Sequence, residues 1–171
     1  MPNHLISRNK NWYVLTTKPK AEKKISKRLT ENDIDNYLPL HSQLRSWHDR
    51  KKWVEMPLFS SYLFVYIEDK YRSKVFQVDG ILRYVSIAGK VSILSEEEIE
   101  RIKRICTYLG EVEVEKENFK LDEEVEIISG HFAGFCGQVT SFNDKCKFRI
   151  SIPGLGSFVT VTIEKEHIKK R

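Results

Sequence analysis

The sequence predicts an α+β protein in two parts, an N-terminal sheet with helices on one face and a small C-terminal β-barrel. Three observations support this prediction. Strand-like and helical patterns alternate over residues 10–109, an acidic stretch follows at 110–118, and short glycine-punctuated β-type runs fill residues 119–171. A chain of 171 residues with 40% hydrophobic content is long enough to bury a core in one domain or two small ones.

The first strand and helix lie in "WYVLTTKPKAEKKISKRLTEN", residues 12–32. Trp12–Thr17 is rich in β-branched and aromatic residues and precedes Lys18-Pro19, which is typical of a strand that stops there. Ala21, Ile25 and Leu29 then recur every four residues, which indicates an amphipathic helix. Lysine and arginine dominate its remaining faces, so the sequence predicts a basic helix after the first strand.

A long hairpin is predicted in residues 35–67, where two apolar runs flank the charged "SWHDRKK". The second run, "PLFSSYLFVYI", alternates in a way that gives the strand two different apolar faces. Leu63, Val65 and Ile67 share an aliphatic face, which we assign to the core. Tyr62 and Phe64 lie on the aromatic face, which either meets a partner or forms a second layer of internal core.

Three further elements follow before residue 109. "DKYRSKVFQVDG" predicts a short helix that ends at Gly80, and "ILRYVSIAGKVSIL" predicts two short strands around a turn at residues 88–90. "SEEEIERIKRICTYL" predicts a helix that opens with the capping box formed by Ser95 and Glu98. We expect one buried stripe on this helix, made of Ile99, Ile102, Cys106 and Leu109.

The segment "GEVEVEKENFK" is acidic and begins with glycine, which is typical of a linker. The predicted boundaries are therefore a first domain at 10–109, a linker at 110–118 and a second domain at 119–171. "EVEIISG", "GQVTSFN", "KFRISIPG" and "SFVTVTI" are short strand-like runs at close spacing, which predicts a small barrel in the second domain.

Charge is distributed unevenly along the chain. Residues 1–53 hold 12 Lys/Arg against 5 Asp/Glu, whereas residues 95–126 hold 5 against 12. The first third is therefore a candidate surface for a polyanion, and a solvated face is the alternative. No apolar run is long enough to span a membrane, and the N-terminus lacks the pattern of a signal peptide, so we expect a cytoplasmic protein without membrane contact.

No pattern for catalysis, metal binding or a cofactor is present. Three cysteines form no CxxC pair, and we expect reduced structural thiols. The histidines are scattered, "GLG" at residues 154–156 is too short for a dinucleotide fingerprint, and a phosphate-binding GxxxxGK[ST] loop is absent. His48 and Asp49 lie in a charged hairpin tip, where nothing apolar would shift a pKa. We expect no enzyme activity, no metal and no cofactor.

Two motifs resemble a known family. "EVEIISGHFAGFCGQV", residues 124–139, resembles a KOW motif, which forms part of a small SH3-like barrel in transcription and ribosomal proteins. "WYVLTTKPKAEKKISKRL", "YLPL" and "PLFSSYLFVYI" resemble the NusG N-terminal (NGN) domain. The order of NGN domain, linker and KOW domain covers nearly the whole chain. The long "SWHDRKKWVEMPLFSSYLFV" hairpin is similar to the UpxY-like branch of specialised NusG paralogues, which act on polysaccharide operons.

The resemblance implies a partner for the aromatic face. NGN domains bind the clamp helices of the largest catalytic subunit of RNA polymerase through a hydrophobic depression. Phe59, Tyr62 and Phe64 match the family's aromatic element and are the expected dock, because exposed aromatic side chains can bury a large area in a partner.

The resemblance also implies DNA contacts and partners for the second domain. Lys18, Lys24 and Arg28 match positions that contact nontemplate DNA in specialised paralogues. Basic residues in the hairpin tip are expected to bind upstream duplex: Arg45, Arg50, Lys51 and Lys52. The family's KOW domains bind a ribosomal small-subunit protein or termination factor Rho. The loop residues expected to face such a partner are His131, Phe132 and Phe135. One of the two phenylalanines is expected to belong to the barrel core.

The expected function is that of a monomeric, non-enzymatic transcription elongation and antitermination factor, which suppresses pausing and termination and acts on a specific operon. Two alternatives remain open. The first is a general NusG factor that acts on all genes. The second is a KOW-type RNA-binding or ribosome-associated module.

Overall fold

The computed structural model describes residues 10–46, 48–116, 123–139 and 145–171. The N-terminal segment used for the localisation prediction lies outside these ranges. The described residues divide into two compact units. The first unit extends to Leu38 and includes Phe59–Glu96, whereas the second contains Pro39–Leu58 and Glu97–Arg171. The mixed helix-and-strand content confirms the predicted α+β class; the domain boundaries at 109 and 119 stay a prediction.

The elements of the first unit begin with a central strand and a helix. In chain order they are β1 (Lys10–Thr17), α1 (Glu22–Glu31), β2 (Asn36–Tyr37), β5 (Tyr62–Glu68), a 3₁₀ helix (Asp69–Gln77), β6 (Ile81–Tyr84), β7 (Ser86–Ile87), β8 (Lys90–Val91) and β9 (Ile93–Leu94). The main sheet has the order β2-β5-β1-β6, with β9 also paired to β1, and all of these pairs are antiparallel.

The basic helix α1 covers one face of this sheet. Ile25 and Leu29, two residues of the predicted stripe, are fully buried in a cluster with Leu15, Leu63 and Val65. Burial of each such side chain contributes about 1.5–3 kcal/mol. The aliphatic face of β5 is therefore core, as predicted.

Two glycine-containing turns shape the first unit. Gly80 has a φ of +101°, and a Cβ there would lie 2.9 Å from Ile25 Cδ1, so glycine lets the chain pass close to α1. Ala88 and Gly89 both have positive φ, 49° and 76°, as a tight primed turn between β7 and β8 requires. The predicted turn is confirmed, and the predicted short helix before Gly80 is of the 3₁₀ type.

The second unit contains the long hairpin, the second helix and a second sheet. Its elements are β3 (Leu40–Ser46), β4 (Lys51–Pro57), α2 (Glu96–Cys106, entering from the first unit), β10 (Val112–Lys116), β11 (Glu123–Ile127), β12 (Cys136–Val139), β13 (Lys145–Ile152), β14 (Ser157–Glu164) and β15 (Ile168–Lys170). The second sheet is antiparallel with the order β10-β14-β13-β12-β11-β15. It buries Val125, Phe148 and Val161.

The buried stripe of α2 differs from the prediction. Ile99, Ile102 and Ile105 are fully buried, whereas Cys106 is half-buried and Leu109 is 70% exposed. The helix ends at Cys106, so Leu109 lies beyond its last turn and no longer follows the helical period.

The predicted linker is largely a strand. Val112–Lys116 pairs with Ser157–Glu164, and Lys147 Nζ lies 3.2 Å from Glu113 Oε2. The strand lies at the edge of the sheet, where Val112 is buried, Val114 is exposed and Glu113 faces Lys147. Residues 112–116 of the predicted linker therefore form a paired strand, and residues 117–118 lie outside the described ranges.

Candidate functional site

The predicted aromatic dock is partly internal. Phe64 is 0% exposed and Phe59 is 4% exposed. The Phe64 ring centroid lies 6.2 Å from those of Phe59 and Tyr37. Val14, the β1 partner of Phe64, is also fully buried. Both phenylalanines therefore belong to a second layer of internal core, which is the alternative stated above, and a role of Phe59, Tyr62 and Phe64 in the dock stays a prediction.

Aromatic side chains that remain accessible lie along the same face of β1 and β5. Tyr62 is half-buried, and so are Tyr66 and Trp12, whose ring centroids are 5.0 Å apart. Lys10 Nζ lies 5.6 Å from the centroid of Tyr66, and Trp12 donates a hydrogen bond of 3.2 Å from Nε1 to Glu96 Oε1. Trp12 was not among the residues predicted for this face, although the alternation of β1 places it there.

The basic residues predicted on the first unit differ in accessibility. Lys18 is exposed, and its Nζ lies 3.4 Å from Asp79 Oδ1. The two side chains form a surface ion pair, which contributes little to stability. Lys24 is exposed and Arg28 is half-buried, both on α1. Neither Lys24 nor Arg28 is in an ion pair with any residue that the structure describes. These two cations are therefore available to an anionic partner.

The hairpin tip concentrates positive charge. Arg45 of β3 lies directly opposite Lys52 of β4, and Arg50 and Lys51 are exposed beside them. Within the described ranges, no carboxylate pairs with any of these four side chains. Like charges at directly opposite positions destabilise a strand pair, so the tip carries a repulsion that an anion would relieve.

The three predicted loop residues of the second unit have different environments. Phe132 is 1% exposed and is the core phenylalanine that the sequence analysis expected. His131 is exposed, and its Nε2 lies 2.7 Å from the Arg104 carbonyl oxygen, which accepts its hydrogen bond. Phe135 is half-buried, with the Arg104 guanidinium carbon 4.5 Å from its ring centroid.

The residues that follow the last turn of α2 also contact this loop. The Tyr108 ring lies edge-on to Phe132 at 4.8 Å, and His41 Nε2 donates to the Tyr108 carbonyl oxygen at 2.8 Å. Burial raises the pKa of the Tyr108 phenol, and the nearby carboxylates of Glu164 and Glu111 add to this increase. Sequence reasoning missed Tyr108 and Arg104 because these contacts join positions far apart in the chain. A partner of the loop must bind beside Arg104 or displace it.

Among the described residues, no three His, Cys, Asp or Glu side chains are arranged to hold a metal ion. Cys106, Cys136 and Cys146 are free thiols, as expected. In the part of the chain that the structure describes, every helix is too short or too polar to cross a membrane.

Comparisons with known proteins give a consistent result. A family model described as "Transcription termination factor nusG" matches residues 10–103. A Thermus thermophilus protein named "Transcription termination/antitermination protein NusG" is 26% identical over 131 residues, which covers 71% of each chain. A Bacillus subtilis protein of the same name is 26% identical and covers 94% of this chain and 98% of its own length.

A solved structure shares the fold. It is titled "Domain interaction in Thermotoga maritima NusG" and matches with a TM-score of 0.58 at 24% sequence identity. The match covers 95% of this chain and 97% of the other.

Proposed function

Because this chain belongs to the NusG family, whose model matches residues 10–103, we propose that it binds the clamp helices of RNA polymerase and suppresses pausing and termination. The family consists of transcription termination and antitermination factors, which are not enzymes. Binding alone can perform this function, because a ligand that prefers the elongating state of the polymerase shifts the population toward it. Such a factor would act in the cytoplasm, as a monomer.

The observation that carries this proposal is the accessible aromatic face of the first unit. Tyr62 is half-buried on β5, next to the fully buried Phe64. A rigid aromatic ring on a packed strand loses little conformational entropy on binding, which is the usual property of an interface hot spot. Phe59 and Phe64, which are buried, would stabilise the strand that carries this ring and would not contact the polymerase themselves.

We expect Tyr62→Ala to weaken binding to the cognate RNA polymerase by about tenfold or more, since it removes a hot-spot aromatic side chain. The free energy of unfolding should change by less than about 1 kcal/mol, because the ring is only half-buried. Titration of labelled protein with polymerase measures the first quantity, and urea denaturation measures the second.

Tyr71→Ala is the matched control, since Tyr71 is an exposed tyrosine of the 3₁₀ helix and does not lie on β5. If the wild type and Tyr62→Ala bind polymerase with equal affinity, Tyr62 is not part of the dock. An equal loss in both variants would point to a non-specific effect of removing a tyrosine.

We further propose that the hairpin tip binds upstream duplex DNA and that Lys18, Lys24 and Arg28 bind the nontemplate strand. The like-charge pair of Arg45 and Lys52 supports the first part, because phosphate groups would relieve its repulsion. Lys24 and Arg28 support the second part, because they share one helix and lack carboxylate partners within the described ranges.

Lys52→Glu should have opposite effects on stability and on DNA binding. Facing Arg45, the new carboxylate should raise the unfolding free energy by about 0.2–1 kcal/mol. Duplex DNA affinity should fall about tenfold at low salt, since a phosphate contact becomes a repulsion. Thermal denaturation and fluorescence anisotropy measure these two changes.

Lys90→Glu makes the same change in net charge at an exposed position of the β7–β8 turn and should leave DNA affinity nearly unchanged. If the two variants lose affinity equally, the protein responds to net charge alone and the hairpin tip is not a DNA site.

The proposed target is a single operon of the polysaccharide type, as the resemblance of the hairpin to the UpxY-like branch implies. Sequencing of nascent RNA that co-purifies with the factor and polymerase tests this point. Transcripts from one leader support operon-specific action, whereas transcripts from all genes support a general factor. Co-sedimentation with ribosomal subunits in the absence of polymerase would instead support a ribosome-associated role. For the transcription factor, the proposed partner of the loop with His131, Phe132 and Phe135 is a ribosomal small-subunit protein or Rho, and Phe132 is the core residue that supports the other two.

A further inference from the structure

An arginine-lined cavity opens on the outer face of the second sheet. Its volume is about 310 Å³, and its lining comes entirely from the second unit. We call it the arginine cavity, and the lining residues used in the argument are Arg101, Gln138, Arg149, Ser151, Phe158 and Arg171. None of them belongs to the dock, the basic helix or the hairpin tip described above.

The alternation of the strands explains how these polar groups come together. In β13, Phe148, Ile150 and Ile152 are buried in the core, so Arg149 and Ser151 lie on the opposite, outer face. The cross-strand partners complete the cavity wall. Gln138 of β12 lies opposite Arg149, and Phe158 of β14 lies opposite Ser151.

Two of these side chains form an aromatic–cation pair. The Arg149 guanidinium carbon lies 5.3 Å from the centroid of the Phe158 ring. This distance is within the range of a cation–π interaction, which holds the guanidinium beside the ring face. The cavity therefore has a flat apolar surface next to a planar, charged hydrogen-bond donor.

The other two arginines approach the cavity from different elements. Arg101 extends from α2, where it also pairs with Glu97. Arg171 follows β15, and its backbone N–H donates to the Glu124 carbonyl oxygen at 3.4 Å. Among the lining residues that the structure describes, Glu124 is the one carboxylate residue, and Glu97 on α2 adds a second carboxylate beside Arg101. The three arginines therefore exceed these two carboxylates by one charge.

We propose that the arginine cavity binds one nucleotide of a single-stranded nucleic acid. The guanidinium groups of Arg101 and Arg171 provide forked donors for a phosphate, and Phe158, with the Arg149 guanidinium beside it, provides a surface on which a base can stack. Gln138 and Ser151 supply a side-chain amide and a hydroxyl for hydrogen bonds to the base or sugar. The volume is at the lower end for ligand pockets, which fits one nucleotide and excludes a longer segment.

An acidic peptide is a less suitable ligand. Its carboxylates would pair with the arginines, but an acidic peptide has no group that necessarily stacks on Phe158 or hydrogen-bonds to the Gln138 amide. This proposal does not depend on polymerase binding, because its residues are separate from Tyr62 and from the hairpin tip.

A cysteine in the cavity wall allows a local test. Cys136 is exposed and lines the cavity, whereas Cys146 is fully buried in the core of the same sheet. Burial also raises the pKa of the Cys146 thiol, which slows its alkylation further. The alkylation rate of each cysteine in the full chain can be followed by peptide mass spectrometry. Binding elsewhere on the protein would not protect Cys136.

We expect a saturating single-stranded oligonucleotide of about ten nucleotides to slow alkylation of Cys136 at least fivefold. RNA and DNA of the same sequence are tested in parallel, and protection by either supports the proposal and identifies the preferred sugar. Cys146 should stay unreactive throughout, which shows that the protein remains folded. Unchanged Cys136 reactivity with both oligonucleotides would overturn the proposal.

Variants identify the groups responsible. Arg101→Gln, at the surface of α2, and Phe158→Leu should each raise the oligonucleotide concentration needed for half-protection by about tenfold. Lys165→Gln removes an exposed cation outside the cavity and should change the concentration for half-protection little. Equal effects of the arginine and lysine substitutions would overturn the proposal, as would protection by poly-glutamate without protection by either oligonucleotide.

Discussion

Phe64→Ala is expected to lower the free energy of unfolding by about 3–5 kcal/mol, because it removes a large, fully buried ring and leaves a cavity. The surrounding groups are poorly able to fill the space: Phe59 and Tyr37 approach the ring from different segments, and Val14 lies on the neighbouring strand. Urea denaturation followed by circular dichroism measures this change.

Tyr62→Ala serves as the control for this substitution, since Tyr62 lies on the same face of β5 but is only half-buried. A destabilisation of Phe64→Ala no larger than that of Tyr62→Ala would contradict the assignment of Phe64 to the core. The comparison also determines how polymerase-binding experiments must be designed. A double substitution of Tyr62 and Phe64 would combine a loss of contact with a large loss of stability, so Tyr62→Ala alone is the cleaner test of the dock.

Gly137→Ala is expected to destabilise the second sheet by about 2 kcal/mol or more, through a steric clash with the backbone. A Cβ at this position would lie 2.3 Å from the Arg149 carbonyl oxygen and 2.8 Å from Phe148 Cζ. The carbonyl belongs to β13, the neighbour of β12, so relief of the clash requires the two strands to separate. Thermal denaturation of the full chain measures the loss.

Gly134→Ala gives a matched comparison within the same unit. Gly134 has a φ of +85° and open space where a Cβ would be, so its substitution should cost only the backbone strain of about 1 kcal/mol. If Gly137→Ala costs less than Gly134→Ala, the close approach of β12 and β13 is not the reason for glycine at 137.

Local patterns predicted the elements that depend on local physics. The four-residue spacing of Ala21, Ile25 and Leu29 indicated α1, and the stripe it defines does pack on the sheet. The turn at Ala88 and Gly89 was predictable because few residues other than glycine adopt positive φ readily. Long-range pairing then assembled these elements in the expected α+β class.

Two differences between the sequence patterns and the structure have a common physical cause. Alternation shows that Phe64 and Leu63 lie on opposite faces of a strand, but it does not show which faces are covered after folding. Similarly, Val112–Lys116 was assigned to a linker because its glutamates suggested solvation, whereas pairing with β14 makes it an edge strand. The burial of Phe64 and the pairing of β10 both depend on tertiary neighbours, which a local sequence pattern does not specify.

The arginine cavity illustrates the same limit for site prediction. Arg101, Arg149 and Arg171 are far apart in sequence and belong to no recognisable motif. Their proximity follows from the register of β12, β13 and β14 and from the position of α2 within the second unit. The hairpin tip was easier to predict because its cations are nearly consecutive.

The pairing of β10 with β14 has a consequence for excised fragments. A fragment that starts at residue 119 would lack Val112–Lys116 and would leave the backbone N–H and C=O groups along that side of β14 without partners. An open edge with alternating valine and threonine residues invites self-association, in which one molecule's β14 pairs with that of another. Fragments of the second sheet should therefore begin before Val112 if they are to stay monomeric in solution.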